Sequence, residues 1–120
     1  HLVVFHGRCE QKEVQDYLLN ADCLIVNSRV ETYSMVTIES ILSGCPVIAT
    51  QCGGPEQFIN TDNGILIAVN DVNVLAEAMA EMFLNKSKYT PIKVRSSVVN
   101  VYSERSVIKH LDQIYKQAIK

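Results

Sequence analysis

Apolar and polar positions along the chain alternate between two periods. Residues 2–5 form a short continuous apolar run that closes at Gly7. Residues 10–20 place Val14, Tyr17 and Leu18 at i, i+3 and i+4, the spacing of a helix with one apolar stripe. Residues 23–26 form a second apolar run. Residues 34–43 return to helical spacing, with Met35, Ile38 and Leu42 on one face and Gly44 as the stop. A third run at 46–49 leads into a Gly53-Gly54-Pro55 turn, and a fourth occupies 64–69. Residues 71–84 form a strongly periodic helix carrying Val74, Leu75, Ala78 and Met82, with its N-cap at Asn70 or Asp71. Two more helices are predicted, over 91–101 and 103–119.

Apolar runs alternating with helices are the mark of an α/β domain. The runs are continuous rather than alternating, which fits strands covered on both sides. With right-handed crossovers, the expected fold is a Rossmann-like parallel sheet with helices on both faces, a single domain over residues 1–120. Ligands of such sheets bind beyond the carboxyl ends of the strands. Three polar loops fall there: His6-Gly7-Arg8-Cys9, residues 27–34 and residues 50–56.

Composition narrows the function classes. Apolar residues make up 48% and charged residues 20%, an ordinary globular balance that excludes disordered and collagen-like chains. No apolar run reaches the roughly 20 residues a membrane-spanning helix needs. The net charge is −2, so no global signal points to nucleic acid. The charge is uneven, however: residues 85–120 hold 8 basic and 2 acidic residues, while residues 1–84 hold 3 and 11. A basic third of this kind is either a solvated helical surface or a patch that faces anionic lipid or a partner domain. The cysteines at 9, 23, 45 and 52 lack metal-site or redox spacing and read as reduced thiols of a cytoplasmic protein. The chain opens without Met inside a strand-like run, which suggests a piece of a longer or processed protein.

Two features could carry chemistry. The free amides of the helix beginning near Ser34, Met35 and Val36 form an anion site that suits a diphosphate, unless Ser34 merely caps the helix. Glu39 falls at the edge of the Met35–Ile38–Leu42 stripe, where a carboxylate needs a partner. A salt bridge, to Arg29 for example, would satisfy it. So would a vicinal diol such as that of ribose, which can donate two hydrogen bonds to an ionised carboxylate. His6, Arg8 and Arg29 stand in the same loops. No cluster with metal-ligand spacing is present in the sequence.

The stretch Ser28-Arg29-Val30-Glu31-Thr32-Tyr33-Ser34-Met35-Val36-Thr37-Ile38-Glu39 resembles the donor-site motif of retaining GT-B glycosyltransferases, two glutamates separated by seven residues. Gly44-Cys45-Pro46-Val47-Ile48-Ala49-Thr50, Gly53-Gly54-Pro55-Glu56 and Asn63-Gly64 follow in the order and spacing of the group 1 family (family 4 of the glycosyltransferases). The ending from Tyr102-Ser103-Glu104 to Ile114-Tyr115 is similar to that family's last helix.

The resemblance implies a partial GT-B C-terminal domain that binds a nucleoside diphosphate sugar, most readily a UDP-sugar. It implies transfer to an acceptor hydroxyl with retention, without metal or other cofactor. Glu39 would hold the ribose hydroxyls. Glu31 would face the donor sugar as the catalytic carboxylate. The amides of Ser34, Met35 and Val36 would touch sugar or distal phosphate, the Gly7-Arg8-Cys9 loop would contact the base, and Gly53 and Gly54 would bring backbone close to the ligand. Two departures stand out. Thr32-Tyr33-Ser34 replaces the family's Gly-aromatic-Gly, so side chains at 32 and 34 are expected to narrow the sugar pocket. The Arg and Lys that neutralise the diphosphate in the family lie upstream of this chain, as does the acceptor domain. The isolated chain is therefore expected to bind donor without transferring sugar, to rest peripherally on an anionic membrane if its basic third is used that way, and to self-associate through an unpaired sheet edge.

Overall fold

The computed structural model describes residues 2–119. His1, at the head of the first apolar run, and Lys120, counted in the basic third, lie outside them. The elements in chain order are α1 (Gln11–Asn20), β1 (Leu24–Val26), α2 (Met35–Leu42), β2 (Val47–Thr50), β3 (Gly64–Ile67), α3 (Val72–Leu84), α4 (Pro91–Tyr102) and α5 (Glu104–Ala118). Short 3₁₀ turns at Gly54–Gln57 and Lys86–Lys88 complete the set, the first of them continuing the expected glycine-rich turn.

Local signals place these boundaries. Asp71 caps α3 by accepting from the N–H groups of Asn73 (3.1 Å) and Val74 (3.0 Å) through Oδ1. Ser103 caps α5, accepting from the Ser106 N–H at 3.3 Å. Gly44 adopts φ +85° just past α2, the left-handed stop that its position predicted.

The three strands are parallel in the order β1-β2-β3. Leu24 stands opposite Val47, and Val47 opposite Gly64. All four residues of β2 are buried, although a strand turns successive side chains to opposite faces. Both faces are therefore covered. α2 packs against β1 and β2, α3 against β2 and β3, and α4 buries α2 in turn. Ile41, Val47, Ile48, Ala49 and Val94 are the innermost apolar residues. α5 touches the body through α4, and none of its side chains is buried.

The run at 2–5 corrects the sequence reading. It is not a strand, and Leu2 and Phe5 stand fully exposed. A strand is stable only where its N–H and C=O groups find a ladder partner and its side chains a face to cover. Among the described residues β1 pairs with β2 alone, and residues 2–5 have no such partner. Apolar composition confers strand propensity but cannot supply the neighbour.

All four cysteines are free. Burial pushes the Cys23 thiol up to about 11 and also raises that of Cys45. At pH 8, iodoacetamide is expected to modify Cys9 on its surface loop while Cys23 and Cys45 react only as the chain unfolds. Peptide mapping checks this, and equal rates at Cys9 and Cys23 would contradict it. The folded state prefers the neutral Cys23 thiol, whose ordinary value is 9.0. Its contribution to stability is therefore complete below pH 9 and lost as pH rises through about 11.

Candidate functional site

Three parallel strands bring their carboxyl ends to one edge, and the loops leaving β1 and β2 are tied together there. The Glu31 N–H donates to the Cys52 carbonyl at 3.0 Å, and the Glu31 carbonyl accepts from the Gly54 N–H at 2.7 Å. The result is an isolated parallel bridge between Glu31 and Gly53. This approach leaves no room for side chains. A Cβ on Gly53 would lie 2.6 Å from the Glu31 carbonyl oxygen, and one on Gly54 between 2.6 and 2.8 Å from Tyr33 backbone atoms. The two glycines thus let backbone meet backbone at Glu31 and Tyr33.

The Glu31 side chain is held as well. Ser28 Oγ donates to Glu31 Oε1 at 2.8 Å. The Ser28 carbonyl accepts from the hydroxyl of Thr50, a residue 1% exposed at the end of β2. Tyr33, the aromatic of the loop, meets Phe58 edge-on at 5.1 Å between ring centroids, and Phe58 meets Tyr102 at the same distance.

Ser34 opens α2 with φ +61° and ψ +67°, the left-handed region. Side-chain capping of helix amides normally uses the extended region. The Ser34 hydroxyl instead bonds Thr37 Oγ1 at 2.8 Å, and the residue is only 8% exposed. The capping role considered for Ser34 is therefore not realised, and Ser34 keeps its hydroxyl inside the helix start. The Thr37 N–H goes to the Ser34 carbonyl at 3.0 Å. The N–H groups of Met35 and Val36 find no acceptor among the described residues. Met35 and Thr32 are exposed and Val36 is half-buried.

Glu39 stands four residues into α2, about 6 Å along the axis from Met35. It is half-buried and lines a cleft of about 410 Å³ with Gln11 and Gln15 of α1, Leu42 of α2 and Arg95 of α4. Its carboxylate has no hydrogen-bond or ion-pair partner among the described residues, whose ion pairs are Lys86–Asp22, Lys93–Asp62 and Lys116–Asp112. The salt bridge to Arg29 is absent. Arg29 lines a separate cleft with Ser28, Asn70 and Asp71.

Arg8 and Cys9 border an open cleft with Glu10 and Gln11, and Gln11 also lines the neighbouring Glu39 cleft. Gly7 enters this loop at φ +66°. His6 is engaged elsewhere: its Nδ1 shares a hydrogen bond with the Tyr17 hydroxyl at 2.8 Å. Glu31 does not line the Glu39 cleft. The two glutamates thus occupy the rim loop and the helix wall of one segment rather than one cavity. Ser28, Gln11 and Arg95 escaped the sequence reading. A hydroxyl three residues before Glu31 was a usable signal for Ser28; Arg95 joins the cleft only through the packing of α4 on α2.

The fold and the sequence both have known relatives. The profile of the family described as "Glycosyl transferases group 1" matches residues 1–96. The GDP-mannose-dependent alpha-mannosyltransferase of Mycobacterium tuberculosis is 31% identical over 98 residues, 80% of this chain and 26% of that protein. Sucrose-phosphate synthase from Thermosynechococcus elongatus superposes with a TM-score of 0.82 at 26% identity, covering 97% of this chain and 30% of that one. Anabaena Alr3699/HepE, solved in complex with UDP, gives a TM-score of 0.73 at 17% identity, covering 83% and 29%, a likeness of fold. The chain spans a third or less of the length of the curated relatives it matches. Its parallel sheet with helices on both faces is that of GT-B glycosyltransferase domains. By sequence profile, relatives and fold together, the chain belongs to the group 1 glycosyltransferase family.

Proposed function

We propose that this chain is the donor-binding part of a retaining glycosyltransferase that moves a sugar from a nucleoside diphosphate to an acceptor hydroxyl. The observation that carries the reading is Glu39: a half-buried carboxylate, open to a cleft, with no partner among the described residues. Such a group is stabilised by donors from a ligand, and the vicinal hydroxyls of a ribose supply two. The unused N–H groups of Met35 and Val36 lie one turn nearer the helix start, where an amide terminus suits a diphosphate. Gly7, Arg8 and Cys9 then stand on the base side, across Gln11 from Glu39.

Transfer requires the leaving diphosphate to be stabilised as the glycosidic bond breaks. The helix amides contribute to this, and a basic pair in the rest of a longer protein completes it. Glu31, at the rim of the same edge, faces the sugar, accepts its hydroxyls and offsets the positive charge that grows at the anomeric carbon. Neither glutamate needs to become a covalent nucleophile. A relative that uses GDP-mannose and a fold neighbour that holds UDP support a nucleoside diphosphate as the ligand class. Because the chain spans a third or less of its relatives, acceptor binding and turnover belong to the parent, and the isolated chain acts as a binding module.

Calorimetry with UDP, GDP, ADP and UDP-glucose tests this directly. One base is expected to bind best, UDP-glucose to bind more tightly than UDP, and Glu31→Gln to abolish that difference. Absence of binding by every nucleotide at millimolar concentration would remove the donor-site reading.

A further inference from the structure

We propose that Ser28 is a positioning residue of the donor site, aiming the Glu31 carboxylate through its hydroxyl; this rests on the reading of Glu31 above. The backbone of Glu31 is already pinned to the Gly53 loop on both its N–H and its carbonyl. That fixes the Cα but leaves the rotatable bonds of the side chain free. Ser28 Oγ, 2.8 Å from Oε1, removes this freedom by engaging one carboxylate oxygen. Oε2 has no partner among the described residues and is left to a ligand.

Ser28 can do this because it is itself anchored. Its carbonyl, with that of Val26, accepts from the hydroxyl of Thr50, a fully buried residue at the end of β2 that stands opposite Ile67 of β3. The Thr50 hydroxyl thus holds the Ser28 backbone at the end of the central strand, and the Ser28 hydroxyl in turn holds the Glu31 carboxylate. A ligating group is held best when its supporting contacts come from rigid elements.

The test separates positioning from mere structure. In calorimetry on the 120-residue chain, Ser28→Ala is expected to weaken UDP-glucose by roughly 5- to 10-fold, the range of an ordinary hydrogen bond and less than the loss of a carboxylate that meets the ligand itself. UDP affinity and the melting temperature should stay near those of the wild type. Ser28→Thr, which keeps the hydroxyl, should restore UDP-glucose binding. Ser28→Cys, similar in shape but a weak donor, should fall between them. In a Glu31→Gln background, Ser28→Ala should add little further loss, since both act on one contact. Equal weakening of UDP and UDP-glucose, or failure of Ser28→Thr to rescue, overturns the inference and leaves Ser28 a structural residue. If Glu31→Gln discriminates between the two ligands and Ser28→Ala does not, this inference fails and the donor-site reading stands. If Glu31→Gln leaves UDP-glucose binding unchanged, or no nucleotide binds, both fail.

Discussion

Gly54→Ala is expected to dislodge the Glu31 loop and to destabilise the chain by about 3 kcal/mol. The added Cβ would sit 2.6 Å from the Tyr33 carbonyl carbon and 2.8 Å from both its Cα and its N. Those are backbone atoms, so no side-chain rotation relieves the clash. Relief requires the loop after β2 or the loop before α2 to move, and the Gly54 N–H that donates to Glu31 at 2.7 Å moves with it. Overpacking of this kind costs about 1–3 kcal/mol, and the lost hydrogen bond adds about 1 kcal/mol. For a chain of this length the melting temperature should fall by roughly 10–15 °C. The preference for UDP-glucose over UDP should disappear with it, because Glu31 no longer stands at its rim position. Gly7→Ala is the control: its φ is also positive, but a Cβ there meets nothing within 4 Å. It carries only the conformational cost of about 1 kcal/mol. A thermal melt in which the two variants coincide would show that the loops do not depend on their close approach.

Glu39→Gln should have the opposite profile, a large loss of binding at nearly unchanged stability. The carboxylate has no protein partner among the described residues, so removing its charge breaks no internal contact. Surface-side substitutions of that sort usually change stability by less than about 0.5 kcal/mol. A hydrogen bond to a charged group contributes about 1.5–3 kcal/mol, so UDP affinity should fall roughly 10- to 100-fold. Because the ribose is common to UDP and UDP-glucose, both ligands should weaken alike. That separates Glu39 from Glu31, whose substitution should affect the sugar conjugate alone. Calorimetry beside a melting curve reads both quantities. A Glu39→Gln variant that binds UDP as the wild type does would return Glu39 to the surface of α2 with no role in ligand recognition.

The helices and three of the four expected strands could be read from spacing along the chain, and the family from the order of its motif blocks. Helical apolar stripes, the cap at Asp71 and the stop at Gly44 involve groups a few residues apart, so their signals are visible in the local sequence. The continuous runs of β1, β2 and β3 likewise announced a sheet covered on both faces. Other features depended on partners far away in sequence. Residues 2–5 are as apolar as β2, yet they form no strand because no ladder partner reaches them. Gly53 and Gly54 looked like a turn for a ligand, and the backbone they meet belongs to Glu31 and Tyr33, some twenty residues earlier. Ser34 had the composition of a cap, but its left-handed backbone sends the hydroxyl to Thr37. Whether the Glu39 carboxylate was salt-bridged or open to a cleft depended on where α1 and α4 placed Gln11, Gln15 and Arg95 around it. Periodicity records which face a residue occupies, because that is set by the local helix or strand repeat. Which group stands across from it is set by packing between elements, and only the folded chain brings those elements together.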